Sequence, residues 1–408
     1  MDFFKVESVD NAKEKLIDKF KNMEINTRNE DILNVTGRIL AKDIISNINV
    51  PDFNRSTVDG YAIKSSDSHG SSESMPSILN LKGEVRMGEK AKEEIFPGEA
   101  IYVPTGGMIP KGADSMIMIE NTEKIDKETL AIYRPVSKNE NMILIGDDIK
   151  RDQIVFKKGR RITPKDIGTL SAMGISRVEI FNKLKFFVIS TGDEIIDLDE
   201  KLEIGKIRDI NGYALDSLIK TIGGEVVKRI IVKDNFHLLK DEVKSGVNKA
   251  DIVLISGGSS VGVRDFTYDV LNSLRGSGVF IKGISIKPGK PTLVGEVNNK
   301  AVFGLPGHPV SSIIVFKVLV EYLAKNILGV NEHVQKTRAI MDFNIHSSPG
   351  KETYQMVKLD EKNGELYASP NFGKSGLITL LSNSDGYVVI KDHEEGLDRG
   401  EKRDVYFI

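Results

Sequence analysis

The 408-residue chain contains no cysteine and no tryptophan. Without thiols, it cannot use thiolate catalysis, iron–sulfur clusters, disulfides or Cys-type zinc sites. An excess of one charge is also missing. Lys and Arg number 57 against 59 Asp and Glu, for a net charge of -2. Bulk attraction to nucleic acid or to an anionic membrane is therefore not indicated, and any anion site must be local. No long apolar run is present, because the longest stretch, 310–328, is broken by Lys317, Glu321 and Lys325. None of the stretches suits a membrane span. The N-terminal MDFFKVESVDNAKEKL turns polar within a few residues, unlike a signal peptide. A reducing, cytoplasmic setting is the expectation. The six histidines are scattered, without HxH or HExxH spacing, and GxxxxGK[ST] does not occur. A P-loop reading thus lacks support. Tandem repeats and low-complexity linkers are absent as well.

What is present suits a globular chain of several domains. Hydrophobic residues make up 40% and charged residues 28%. At roughly 100–200 residues per domain, two to four domains are expected. Residues 8–21 read as a helix with Ala12, Leu16, Ile17 and Phe20 on one face and Ser8 as cap. From about 50 to 146, short β-type runs alternate with Gly, Pro and Asp, which predicts a small β-rich domain. Thr163-Pro164-Lys165-Asp166 is a helix start, with Gly174 as its stop.

From 183 to 328 strands and helices alternate. Strands are expected at 185–189, 226–232, 252–255, 280–286, 292–297 and 301–303. Helices are expected from a cap at Asn211, over 234–247, over 266–274 and as one long element over 310–328. This rhythm predicts a three-layer α/β domain, doubly wound around a mostly parallel sheet. Residues 331–408 again read as a small β domain.

Ligands of open α/β sheets bind beyond the carboxyl ends of the strands. Three loops are expected there: Ser190-Thr191-Gly192-Asp193-Glu194, the run SGGSSVG at 256–262, and Leu305-Pro306-Gly307-His308-Pro309. Glycine lets a backbone approach a phosphate closely, and amides at a helix start can point at the anion. Each charged hydrogen bond contributes on the order of 1.5–3 kcal/mol. Any one loop alone reads equally well as an ordinary turn; three on one edge point to a site. Asp193, Glu194 and Asp265 supply acids at that edge, and such acids beside a phosphate cradle suit a Mg2+ ion. Lys287-Pro288-Gly289-Lys290-Pro291 supplies two cations for phosphate or an oxyanion. A solvated charged surface is the alternative for these residues.

The ordered motifs carry a further inference. PDFNRSTVDGYA at 51–62 resembles the PxFxxSxMDGYA signature of the molybdopterin molybdenumtransferases, the MoeA and gephyrin E-domain family. PTGG at 104–107 and PKGAD at 110–114 are similar to that family's PTGAxLPxGAD. Gly146-Asp147-Asp148, STGDE at 190–194, Asp209-Ile210-Asn211, SGGSSVG at 256–262, KPGKP at 287–291 and GLPGHPVS at 304–311 follow in the family's order. The resemblance covers essentially the whole chain.

It implies an α/β molybdopterin-binding domain from 1–23 and 179–330, and a connecting domain from 24–48 and 147–178. It further implies an inserted β-rich domain over 49–146 and a separate C-terminal β domain over 331–408. A homodimer is implied, with the site in a cleft between the α/β domain of one subunit and the inserted domain of the other. The implied reaction is Mg2+-dependent insertion of molybdate into adenylylated molybdopterin, with release of AMP. The implied metal residues are Asp193, Glu194 and Asp265. Catalytic roles fall to Asp59, Thr105, Asp148, Glu194 and Asp265. Substrate contacts fall to Ser56, Thr191, Gly192, Ser256, Gly257, Gly258, Ser259, Ser260, Lys287, Lys290, Pro306, His308, Pro309 and Ser311.

The chain departs from the family pattern at Val58 for Met, at Ser259 for an apolar residue, and at His308 for Asn. Tungstate stays open as a substrate beside molybdate. Two rival functions remain at this point: adenylylation of molybdopterin, with the adenylyltransferase otherwise a partner, and a non-catalytic scaffold of the gephyrin E-domain type. The inserted DGYA segment argues against the first. The intact acidic and lysine loops argue against the second.

Overall fold

A strand covered on both faces must be apolar at nearly every position. Lys185–Thr191 meets that condition, since every residue after Lys185 is buried. The structure, a computed structural model, describes residues 6–257, 261–332, 334–347 and 349–408, with only the backbone for 261–265. The chain forms two compact units. One comprises Met1–Ala41, Lys158–Ile162 and Val178–Ile408, and the other Lys42–Lys157 and Thr163–Arg177.

The first unit contains the α/β sheet. Its elements are α1 (Val9–Phe20), β1 (Lys185–Thr191), α2 (Asn211–Thr221), β2 (Glu225–Val232), α3 (Phe236–Lys249) and β3 (Ile252–Gly257). These are followed by α4 (Val261–Asn272), β4 (Gly278–Lys282), β5 (Leu293–Val297), β6 (Lys300–Leu305) and α5 (Pro309–Val315). The sheet order is β2-β1-β3-β6-β5-β4. The first four strands are parallel, and the β6–β5 and β5–β4 pairs are antiparallel. Successive residues of a strand face opposite sides. Phe186 and Val188 accordingly join a core with Leu16, Leu215, Leu254 and Phe303. Phe187 and Ile189 join a second one with Leu239, Val243, Val253 and Val302. Three layers result, as expected. In α1, Ser8 caps by accepting from the Asn11 amide at 3.2 Å.

Three details differ from the sequence expectation. The run expected as one strand over 280–286 divides: β4 ends at Lys282, and Ile286–Lys287 leaves the sheet. The long helix expected over 310–328 carries a π-helical stretch, Phe316–Val320, between α5 and Glu321–Ile327. The wider turn shifts the side-chain phase, and Phe316, Val318, Leu319 and Val320 are all buried. The helix expected over 266–274 begins five residues earlier, at Val261.

The C-terminal strands Lys336–Met341, Glu352–Lys362, Glu365–Pro370, Gly386–Ile390 and Lys402–Phe407 close on themselves, because Glu352–Lys362 pairs with both Glu365–Pro370 and Gly386–Ile390. Met341, Val357, Ala368, Val388 and Val405 fill the interior. This small barrel is stitched to the α/β segment. Ile286 and Lys287 pair in parallel with Glu352 and Thr353.

The second unit holds a six-stranded sheet that includes Gly60–Ile63, Glu99–Val103 and Ser115–Met118. Its strands bury Tyr61, Ile63, Leu79 and Ile117 on one side. Ala62, Ile101, Val103 and Met116 lie on the other. Pro164–Ala172 starts with the expected cap, in which the Asp166 carboxylate accepts from the Thr163 amide at 2.9 Å.

Candidate functional site

Parallel register brings the chemistry-bearing loops to one edge. Thr191 stands beside Val232 and Gly257, and Ser256 beside Leu305. The carboxyl ends of β1, β2, β3 and β6 therefore lie on the same edge of the sheet, as expected for three of them. Gly258, Ser259 and Ser260 and the side chain of Asp265 lie outside the described residues.

The turn after β2 was missed. The sequence pattern over 234–247 puts Asp234 at the head of α3. Asn235 takes the cap instead, accepting from the His237 and Leu238 amides at 2.9 and 3.1 Å. Asp234 is thereby freed to face the STGDE loop, and its amide donates to Asp193 Oδ1 at 3.3 Å. Burial, then the charges of Asp193 and Glu194, raise the Asp234 carboxyl above the usual carboxylate range. Its Oδ1 is buried without a hydrogen-bond partner. An acid two residues beyond a parallel strand was the available signal.

The raised carboxyl has a stability consequence. Unfolded Asp234 ionises at its ordinary pKa, whereas the folded group holds its proton to higher pH. Folding stability therefore declines as pH rises from the ordinary carboxyl range through the raised value. Asp234→Asn is expected to raise the thermal midpoint, with a larger gain at pH 7.5 than at pH 4.5, while lowering turnover. Paired melting curves at the two pH values check the sign.

Asn211 was expected to cap α2, but that task falls to Asp209, whose Oδ1 accepts from the Gly212 amide at 2.8 Å. Asp209 is 3% exposed. It also accepts from Ser190 Oγ at 2.9 Å and pairs with Arg229 at 3.3 Å. Arg229 in turn lies over the Tyr213 ring. Asn211 is left to brace two loops, donating from Nδ2 to Ser256 Oγ at 2.7 Å and to the Gly307 carbonyl at 2.8 Å. Removing a buried donor leaves its acceptors unpaired, at a cost of about 1–3 kcal/mol. Asn211→Ala is expected to lower kcat/KM about tenfold or more, since 1.4 kcal/mol is a factor of ten. Steady-state kinetics check it.

A cavity of about 580 Å³ opens between this edge and the barrel. Of the expected residues it gathers Gly257, Lys287, Lys290, Pro306, His308 and Ser311. The barrel contributes Lys351, Tyr354, Gln355 and Ser375, which the sequence reading did not single out. The pairing of Lys287 with Thr353 explains why the KPGKP turn lies here. Gly289 shapes the turn at φ +123°, where a Cβ would lie 2.7 Å from Val315 Cγ2. Lys287 and Lys290 are exposed, and among the described residues neither ammonium group pairs with a carboxylate. Tyr354 is buried and donates to Glu352, and that burial pushes its phenol far above the usual range. Thr191, Gly192, Asp193 and Glu194 stand at the neighbouring strand end rather than in the cavity wall, and Pro309 is buried at the head of α5.

The remaining residues belong to the second unit. Asp59 and Thr105 are adjacent, with the Thr105 amide donating to Asp59 Oδ1 at 2.9 Å. Both are exposed, as is Asp148. Ser56 is 2% exposed, and its hydroxyl donates to the Val58 carbonyl at 2.6 Å, so it serves a local turn. Gly60 is needed for close approach. A Cβ there would lie 1.9 Å from the Ile117 carbonyl oxygen. Gly60→Ala is expected to destabilise this unit by about 1–3 kcal/mol, read from the urea midpoint.

Three family models match the chain: the MoeA N-terminal region, domains I and II, over 7–174; a "Probable molybdopterin binding domain" over 187–325; and the MoeA C-terminal region, domain IV, over 338–408. The molybdopterin molybdenumtransferase of Haemophilus influenzae is 31% identical, over 97% of this chain and 96% of the relative. The chain belongs to the MoeA family of molybdopterin molybdenumtransferases. A molybdopterin biosynthesis protein of Methanocaldococcus jannaschii is 35% identical over 93% of this chain and 91% of its own. The crystal structure of a MoeA protein from Pyrococcus horikoshii matches with a TM-score of 0.82 at 36% identity, covering 99% of both chains. This MoeA-family chain is thus an enzyme of molybdenum cofactor biosynthesis, and its α/β segment coincides with the molybdopterin-binding model. No described helix is long and apolar enough to cross a membrane.

Proposed function

We propose that this enzyme takes adenylylated molybdopterin and molybdate, cleaves the phosphoanhydride, releases AMP and leaves molybdenum on the dithiolene sulfurs. The observation that carries this reading is the cavity lined by Lys287 and Lys290, neither of which has a carboxylate partner among the described residues. A tetrahedral oxyanion needs such cations, and Ser311 and His308 add polar groups beside them. The turn after β1 and Gly257 at the end of β3 supply backbone for phosphate, as glycine-rich strand ends do. The reaction needs no covalent nucleophile and no redox side chain, in keeping with a chain without cysteine.

Magnesium is proposed at the Asp193, Glu194 and Asp234 edge. Among the described residues no group of three acids or histidines forms a ready cage. Mg2+ ordinarily takes only one or two carboxylates and completes its shell with water and substrate phosphates, so a cage is not required. The unpartnered Asp234 Oδ1 and its raised carboxyl fit a place for a hard cation. When bound, the ion would neutralise phosphate charge. The protein's part is to hold these carboxylates together against their mutual repulsion. Added Mg2+ is expected to raise the melting temperature of the native enzyme more than that of Asp234→Asn.

Asp59, Thr105 and Asp148 are proposed to complete the substrate contacts. A homodimer in the cytoplasm, supplied by a molybdopterin adenylyltransferase, is the proposed setting. The test is AMP release from adenylylated molybdopterin, with molybdate and tungstate compared side by side. Oxyanion-dependent AMP release supports the reading. Accumulation of adenylylated product from molybdopterin, ATP and Mg2+ without oxyanion would favour adenylylation instead, and binding without any AMP release would favour a scaffold.

A further inference from the structure

The first amides of a helix lack internal partners, and the residue before the helix commonly accepts from one of them through its side chain. At the head of α5 that residue is His308, and its side chain makes no such bond. The Val310 amide donates instead to the Ser375 carbonyl, 3.2 Å away, on the barrel side of the cavity. Ser375 is held a second time, because its Oγ lies 2.9 Å from His308 Nδ1. The imidazole also packs on the backbone at Gly376, where a Cβ would stand 3.7 Å from His308 Cδ2. His308 and Ser375 both line the cavity.

The segment that carries Ser375 runs across the cavity from Asn371 to Ser384. Its near end is fixed, since Gln355 Nε2 donates to the Asn371 carbonyl at 2.9 Å and Asn371 Nδ2 to Ser384 Oγ at 3.0 Å. Between these points Leu380 is buried in the core that also holds Val310 and Ile314, whereas Phe372 and Leu377, ahead of it, are 66% and 53% exposed. Among the described residues, the hydrogen-bonded attachment to the head of α5, ahead of the Leu380 anchor, falls on Ser375. An Asn in place of His308, as in the family motif, is a short cap that competes for the Val310 amide. The longer imidazole reaches past it to the serine hydroxyl.

We propose that His308 and Ser375 form a clasp that holds the 371–384 segment against α5 and so fixes the barrel wall of the oxyanion cavity. His308 is then a positioning residue, acting on the oxyanion through the wall it secures. The proposal rests on the reading of the cavity as the oxyanion site.

The test uses the whole chain, with molybdate alone as the probe in calorimetric titration and AMP release as the kinetic readout. His308→Ala and Ser375→Ala each remove the imidazole–hydroxyl contact, while Ser375→Ala keeps the backbone cap. Each is expected to weaken molybdate binding and raise the molybdate KM about three- to tenfold, the loss of one hydrogen bond. The KM for adenylylated molybdopterin is expected to hold. The double variant is expected to match the worse single variant, because the two side chains make one interaction. Multiplying effects, an unchanged molybdate KM in both variants, or equal losses for both substrates would overturn the clasp. Lys290→Ala separates the two levels. If it weakens molybdate while His308→Ala does not, the clasp falls and the cavity reading stands. If Lys290→Ala also leaves molybdate binding intact, both fall together.

Discussion

Glu194→Gln is expected to lower AMP release about 10²–10³-fold while leaving the melting temperature within a degree or two of the native value. Pre-organised electrostatic groups commonly contribute that much to a charged reaction. Glu194 is half-buried beside Asp193, and both charges press on Asp234. The amide substitution keeps the shape and removes one negative charge from a crowded edge. Repulsion is relieved, so stability is preserved, whereas the attraction for a hard cation at the phosphate is weakened. Asp59→Asn is expected to behave alike, for a different reason. Its Oδ1 still accepts from the Thr105 amide when the other oxygen becomes an amide nitrogen, so the turn persists while the charge is lost. Native-like AMP release by either variant would take that residue out of the mechanism.

Lys290→Ala is expected to raise the molybdate concentration for half-maximal turnover roughly tenfold or more, with a smaller effect on kcat. A charge-assisted hydrogen bond contributes about 1.5–3 kcal/mol, and solvent screening at an exposed ammonium brings the figure toward the lower end. The same screening predicts that the native affinity falls as ionic strength rises. Lys290→Arg restores charge without the compact point donor and is expected to recover only part of the loss. The turn that presents the two lysines should survive these changes, because Gly289 and the Thr292 hydroxyl, which donates to the Gly289 carbonyl at 2.7 Å, define its path. Steady-state kinetics with molybdate as the varied substrate separate this outcome from a general loss of fold.

Much of the site was legible because its parts punctuate the sequence. Ser190 to Glu194, Gly257 and the 305–309 turn follow apolar runs that could only be buried strands, and parallel strands place such turns on one edge by geometry alone. The family motifs added the roles proposed for Asp59, Thr105 and Asp148. What escaped was decided by competition between neighbours. Asn211 and Asp209 are both good caps, and sequence alone does not say that the buried Asp209, tied to Ser190 and Arg229, wins. Asn235 outcompetes Asp234 in the same manner, which converts an apparent helix start into an acid at the edge. The apolar run through 280–286 reads as one strand, yet Ile286 and Lys287 pair with residues some 65 positions later. Only that long-range pairing puts the lysine turn and the barrel around one cavity, so Lys351, Gln355 and Ser375 carried no local signal.

The most direct measurement is the location of molybdenum in crystals soaked with molybdate, read from its anomalous scattering. A peak is expected in the cavity within hydrogen-bonding reach of Lys287 or Lys290, lost in the variant that replaces both with alanine. A peak elsewhere on the molecule, with that cavity empty at saturating molybdate, would contradict it.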